Sequence, residues 1–162
     1  AQRDAIAALP LGRALEKAGM SLLMKVGGAS GPLYASFLID CGKALPGEAP
    51  VDRAALAEAF AAGTAAVMRR GKSQAGEKTM LEVLLPVRDV LADPAVPLAE
   101  LAPSLVAAAE AGLESTRPLR ATKGRASFLG ERSIDHLDPG AASVTLVLKT
   151  VLAGLRREGA LP

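Results

Sequence analysis

The sequence predicts an all-α protein, and three observations carry that expectation. Leucine and alanine recur at three- and four-residue spacing in segment after segment, the period of a helix face. Hydrophobic residues make up 50% of the 162 positions but aromatic residues only 2%, a composition of small side chains that suits close helix packing. No two alternating segments are joined by a hairpin-forming turn, so strands have no partners.

Ala1 to Leu9 have the character of the end of a helix, and a preceding segment is expected upstream of Ala1. Pro10 then stands where a first-turn proline is tolerated, and Leu11, Leu15, Ala18 and Leu22 give a helix over 10–25. After the run Gly27-Gly28-Ala29-Ser30-Gly31-Pro32, Ser30 is the expected N-cap, and Leu33, Phe37 and Cys41 form a stripe as far as Leu45. Pro46-Gly47 ends it. Asp52 caps a third helix carrying Leu56, Phe60, Gly63 and Val67. Arg69-Arg70 suit its C-terminal dipole, and Gly71 suits the C′ position.

A fourth helix is expected over Thr79–Leu91, disturbed at Pro86, because an interior proline removes a hydrogen bond and crowds the preceding turn. A fifth covers 97–117 with Pro103 in its first turns. The sixth, Ala141–Arg157, is rich in β-branched residues, yet its length and the lack of a partner strand favour helix.

Composition narrows the function. At this length one domain, spanning 1–162, is expected, able to bury roughly two thirds of its unfolded surface. A single cysteine, Cys41, cannot form an internal disulfide, and on a helix face it is expected to be a core thiol in a reduced, cytoplasmic setting. Net charge is +2 with both signs interspersed, which with so few aromatic rings argues against nucleic acid. No run approaches the roughly 18–20 apolar residues of a membrane span.

Three loops contain residues suited to anions. In 27–31, glycines allow amides to turn toward a ligand and the next helix adds its N-terminal partial charge; a plain turn with a capping serine remains the alternative. Gly71-Lys72-Ser73-Gln74-Ala75-Gly76-Glu77-Lys78-Thr79 holds a Gly-Lys-Ser, but Ala66 occupies the place of the first P-loop glycine and a helix, not a strand, precedes. Two lysines entering a helix remain compatible with phosphate, or with a solvated connection. The segment 121–140 is long for an idle connection, and Lys123, Arg125, Glu131, Arg132, Asp135, His136 and Asp138 crowd it. No nucleophile–histidine pair or metal-ligand spacing can be argued, and His136 is read as a surface or hydrogen-bonded residue. Together the loops favour a nucleotide site.

The segments Met20-Ser21-Leu22-Leu23 through Gly27-Gly28-Ala29-Ser30-Gly31-Pro32-Leu33-Tyr34, Arg70-Gly71-Lys72 with Gly76-Glu77-Lys78-Thr79-Met80, Lys123 to Ile134, and Asp138-Pro139-Gly140-Ala141 closely resemble the nucleotide-binding L subunit of dihydroxyacetone kinases. The resemblance covers essentially the whole chain, in order. It implies a barrel of antiparallel amphipathic helices, eight in the complete family domain and six to seven here, with ADP or ATP held at one rim. The implied nucleotide contacts are Ala29, Ser30, Gly71, Met80, Arg125, Asp138, Pro139 and Gly140. Ser30 and nearby amides would hold phosphate, Met80 would pack on adenine, and Arg125 would offset charge on the transferred phosphoryl group as the catalytic residue. Asp138 would accept a hydrogen bond or shape the turn.

The family also carries a loop of three aspartates that binds two magnesium ions, and nothing in this sequence reproduces it. No metal ligand is therefore assigned here. Three explanations stay open: a loop upstream of Ala1, which the helix-like start favours, a truncation, or a degenerate relative. Smaller departures from the family pattern are Ala35 for glycine, Glu77 for aspartate and Asp135 for glycine. The resemblance implies a short-ketose kinase whose sugar is bound covalently through a histidine of a separate K subunit. Its phosphoryl donor is either exchanging ATP or a phosphohistidine protein that recharges bound ADP, and the motifs look more like the stand-alone L subunit that the latter serves. A homodimer is left open. The competing function is a non-catalytic regulatory relative that binds nucleotide or an apolar ligand. A fatty-acid kinase domain fits less well, since its glycine loop is typically Ala-Arg-Gly-Asn-Ser-Gly.

Overall fold

The computed structural model describes residues 2–47 and 50–159. Among them the chain is all-helical, with α1 (Gln2–Ala7), α2 (Leu11–Lys25), α3 (Ser30–Ala44), α4 (Arg53–Gly71), α5 (Leu81–Ala92), α6 (Leu98–Ser115), a 3-10 segment (Arg125–Ser133) and α7 (Pro139–Arg157). The helices gather into two compact units divided after Lys72.

In the first unit α3 packs between α2 and α4, and small residues set the spacing. Gly12 of α2 and Gly42 of α3 face each other so closely that a Cβ on either would collide with the other's carbonyl oxygen. Gly63 of α4 likewise lies against Cys41 and Phe37. Cys41, Leu45 and Ala59 form the core with Leu15, Phe37 and Val51 around them, and Phe37 meets Phe60 edge to face at 5.1 Å. Burial pushes the Cys41 thiol up to about 12, so it stays protonated and acts as a small apolar group. Asp52 caps α4 as its sequence predicts, accepting from the Ala55 amide at 2.8 Å. The far end of α4 differs from expectation. Gly71 is the last helical residue and Lys72 takes the left-handed conformation, with φ 45° and ψ 48°.

The second unit is built on α5 and α6, with α7 packed on both. α5 runs unbroken through Pro86, where a disturbance was expected. A proline at 86 leaves the Glu82 carbonyl without its helical donor, and that carbonyl faces Gly112 of α6, which has no Cβ to obstruct it. Leu81, Val83, Leu84 and Val87 of α5 are buried with Leu105 and Ala109 of α6. The β-branched residues of α7 are helical, as expected. Its threonine hydroxyls bond carbonyls one turn back, Thr145 to Ala141 at 3.0 Å and Thr150 to Leu146 at 2.8 Å. No helix among the described residues is long and apolar enough to cross a membrane.

Candidate functional site

In the first unit the glycine run connects α2 to α3. Gly28 adopts φ +72°, which glycine reaches without a Cβ penalty, and the N-cap position of α3 is Ala29. Ser30 is therefore the first helical residue, not the expected cap, because the turn at Gly28 closes one residue early. Ala29 offers no side-chain acceptor, so the first amides of α3 lack the usual internal partner and face a stretch, 27–30, that is exposed. Gly71, half-buried, closes α4 in the same unit.

In the second unit the loop before α5 is organised by its own carboxylates. Glu82 is buried and accepts from the amides of Gly76 and Thr79, each at 2.7 Å, and from the Thr79 hydroxyl at 3.2 Å. Glu77 accepts from the Gln74 amide at 2.9 Å and lies 3.6 Å from the Lys123 ammonium. The amides of Gln74, Gly76 and Thr79 are thus occupied from within the chain, which favours the plain connection of the two readings that the sequence leaves open for this loop. Lys78 points the same way. Only 2% exposed, it adopts φ +59° and donates to five backbone carbonyls: His136 at 2.6 Å, Ser133 at 2.7 Å, Thr116 at 2.9 Å, Leu119 at 3.0 Å and Arg117 at 3.5 Å. Burial lowers its ammonium below the ordinary lysine range, while Asp138 and Asp135 oppose that. Of the loop's two lysines only Lys72 is exposed.

The second unit brings Met80 next to the Asp138-Pro139-Gly140 turn. A Cβ on Gly140 would lie 3.4 Å from the Met80 amide nitrogen and 3.5 Å from its Cβ. Asp138 is the N-cap of α7, accepting from the Ala141 amide at 2.7 Å while its own amide donates to Thr116 Oγ1 at 2.9 Å. Pro139 occupies the first helical position. Met80 itself is 6% exposed, leaving little of it for a ligand's face. Arg125 starts the 3-10 segment, is exposed, and its guanidinium bonds no other described residue. Asp135 adopts φ +65°, a left-handed conformation that aspartate tolerates better than most residues. His136 is exposed and engages through its carbonyl.

Sequence reasoning missed Lys78, Glu82, Thr116 and Ser133 as organisers. Only Glu82 had a local signal: Thr79-Met80-Leu81-Glu82 matches the spacing of a capping box. Among the described residues no three His, Cys, Asp or Glu side chains gather as metal ligands. A groove of about 860 Å3 between α6 and α7 is lined by residues such as Val106, Glu110, Lys149 and Arg156 and includes none of the expected nucleotide contacts.

Burial pushes the Asp138 carboxyl above the ordinary aspartate range, partly countered by the Ala141 and Gly140 amides and by Lys78. A carboxyl with a raised folded-state pKa favours folding when protonated. Its contribution is complete below the unfolded value near ~3.9 and is lost as pH rises through the folded value. Asp138→Asn keeps a capping acceptor and does not titrate. Urea unfolding at successive pH values is therefore expected to show the difference shifting in favour of Asp138→Asn as pH rises above about 4. A difference that stays flat, or moves the other way, would contradict this.

The DAK2 domain family matches residues 1–153. The ADP-binding subunit DhaL of PEP-dependent dihydroxyacetone kinase 2 from Listeria innocua is 46% identical over 149 residues, covering 88% of this chain and 67% of the relative. DhaL of the PEP-dependent dihydroxyacetone kinase of Escherichia coli is 42% identical over 150 residues, covering 90% and 70%. The human triokinase/FMN cyclase is 34% identical over 145 residues, 88% of this chain and 25% of that one. The crystal structure of the dihydroxyacetone kinase of C. freundii is similar with a TM-score of 0.65 at 26% identity, over 90% of this chain and 24% of that one. The chain thus spans 67% and 70% of the two bacterial subunits and a quarter of the larger enzymes.

Proposed function

The chain belongs to the DAK2 domain family, alongside the ADP-binding subunits of dihydroxyacetone kinases, and we propose that it carries the adenine nucleotide for phosphorylation of dihydroxyacetone or a similar short ketose. The sugar is held by a separate K subunit. Relatives named PEP-dependent and PTS-dependent support bound ADP recharged by a phosphohistidine protein over exchanging ATP, and a cytoplasmic location follows from that reading. The proposed nucleotide contacts are Ala29, Ser30, Gly71, Met80, Arg125, Asp138, Pro139 and Gly140. The observation that best supports them is the meeting of Met80 with the Asp138-Pro139-Gly140 turn, two segments far apart in the chain that carry four of the eight.

Three parts of this set have a chemical task in this reading. The uncapped start of α3 offers amides and the Ser30 hydroxyl to phosphate oxygens. Gly140 lets the backbone at the start of α7 approach a ligand beside Met80. Arg125 supplies a permanently charged guanidinium that bonds no other described residue. Magnesium would neutralise phosphate charge, but the described residues do not assemble a ligand set for it, so its ligands would come from elsewhere.

Calorimetric titration with ADP, with and without magnesium, tests the reading. The wild type is expected to bind ADP, and Ser30→Ala to weaken binding about tenfold through loss of a charge-assisted hydrogen bond. Because Ser30 makes no capping bond, its thermal midpoint should move little. Absence of ADP binding, or a large stability loss with unchanged affinity, would overturn the proposal.

A further inference from the structure

The strongest unexplained feature is the buried ammonium of Lys78. An ammonium has three protons, yet five main-chain carbonyls converge on it. The three shortest contacts come from His136, Ser133 and Thr116, so the longer two share protons. Two separate stretches are thereby tied to one point: 116–119, directly after α6, and 133–136, the end of the 3-10 segment. Their own bonds close the arrangement. Thr116 Oγ1 accepts from the Asp138 amide at 2.9 Å, Ser133 Oγ accepts from the Ala121 amide at 2.9 Å, and the Asp135 amide donates to the Arg117 carbonyl at 2.9 Å.

Lys78 is also two residues before Met80, in a left-handed conformation that turns the chain into α5. The side chain thus anchors the approach to Asp138 while its backbone leads directly to Met80. We infer that Lys78 is a positioning residue for the adenine side of the proposed site, a built-in cation that holds the Asp138-Pro139-Gly140 turn against Met80. This rests on the nucleotide reading above. Lys78 is too deeply buried to touch a ligand itself; it acts through the turn. Without its charge, carbonyls buried around it lose their donor, an unfavourable state that the loop can relieve only by moving.

The test compares Lys78→Met, Lys78→Arg and Thr116→Val in the full chain, by ADP calorimetry and backbone hydrogen exchange. Lys78→Met is expected to weaken ADP binding about tenfold or more and to remove exchange protection from 133–142, while α3 and α4 keep theirs. Lys78→Arg, which retains charge and donors, is expected to recover much of the affinity. Thr116→Val removes only the hydroxyl that receives the Asp138 amide, and should raise the ADP Kd several-fold with the fold intact. It decides the matter if Lys78→Met does not fold. Unchanged ADP affinity in Thr116→Val, or in a folded Lys78→Met, would overturn the inference. Protection lost equally through all helices, with no recovery in Lys78→Arg, would also overturn it. A wild type that binds no ADP would instead defeat the nucleotide reading, and the exchange pattern would still decide whether Lys78 orders the turn.

Discussion

Arg125→Ala is expected to lower phosphoryl transfer by about two orders of magnitude or more, the usual effect of removing a preorganised donor from developing transition-state charge. The residue's setting supports a role in charge stabilisation. Its guanidinium is exposed and bonds no other described residue, so its donors remain available to a ligand. The segment beneath it is fixed at both ends. Ser127 Oγ donates to the Gly124 carbonyl at 2.6 Å, Gly124 itself takes φ +62°, and Ser133 Oγ donates to the Gly130 carbonyl at 2.6 Å. The side chain is thus mounted on an ordered support, as preorganisation requires.

Loss of so exposed a side chain should change folding stability by no more than about 0.5 kcal/mol, which separates chemistry from folding. Arg125→Lys refines the test. It keeps the charge but not the planar fork that matches phosphate oxygens, and should fall between wild type and Arg125→Ala. The measurement is turnover with the sugar-binding subunit and phosphoryl donor present, together with ADP affinity. Near-normal turnover in Arg125→Ala, or a loss explained wholly by weaker ADP binding, would refute the assignment.

Helix identity was legible wherever local signals agreed. α4 reads directly from Asp52, the Leu56–Phe60–Gly63–Val67 stripe and Arg69-Arg70. α7 could be told from a strand despite Val144, Thr145, Val147, Thr150 and Val151, because length and missing partners outweighed β-propensity. Errors fell where tertiary contacts decide. Pro86 breaks nothing because its orphaned carbonyl meets a glycine from α6, a fact 26 residues away in sequence. Lys78 reads as a solvated cation beside Lys72, since nothing local announces that carbonyls from 116–136 will converge on it. The same holds for the two glycine-rich loops. The segments 27–31 and 71–79 look alike in sequence, and differ because Glu77 and Glu82 fold back onto the Gln74, Gly76 and Thr79 amides of the second while Ala29 offers the first no capping acceptor. Recognition of Arg125 and Asp138–Gly140 rested on family resemblance, as exposure and capping alone do not single out a ligand contact.

The glycine run offers the second large effect, and it separates two uses of glycine within five residues. Gly31→Ala is expected to be strongly destabilising, by about 1–3 kcal/mol or more, as overpacking of a closed contact. A methyl at Gly31 would overlap the Val26 carbonyl oxygen and lie 2.8 Å from its carbon and 3.3 Å from the Val26 Cβ. Those are mostly backbone atoms, which cannot rotate away, so the start of α3 must move from the end of α2. Gly28→Ala meets open space but must hold φ +72°, costing on the order of 1–2 kcal/mol from conformation alone. Gly27→Ala meets neither obstacle and should be near neutral. Urea unfolding of the three variants therefore predicts a descending series of costs from Gly31 through Gly28 to Gly27, with ADP affinity falling most in Gly31→Ala because the amides of α3 are displaced. Equal costs would show that the run serves only as a flexible link, and a Gly31→Ala protein of wild-type stability would show that the close approach of Val26 to α3 is not required by the fold.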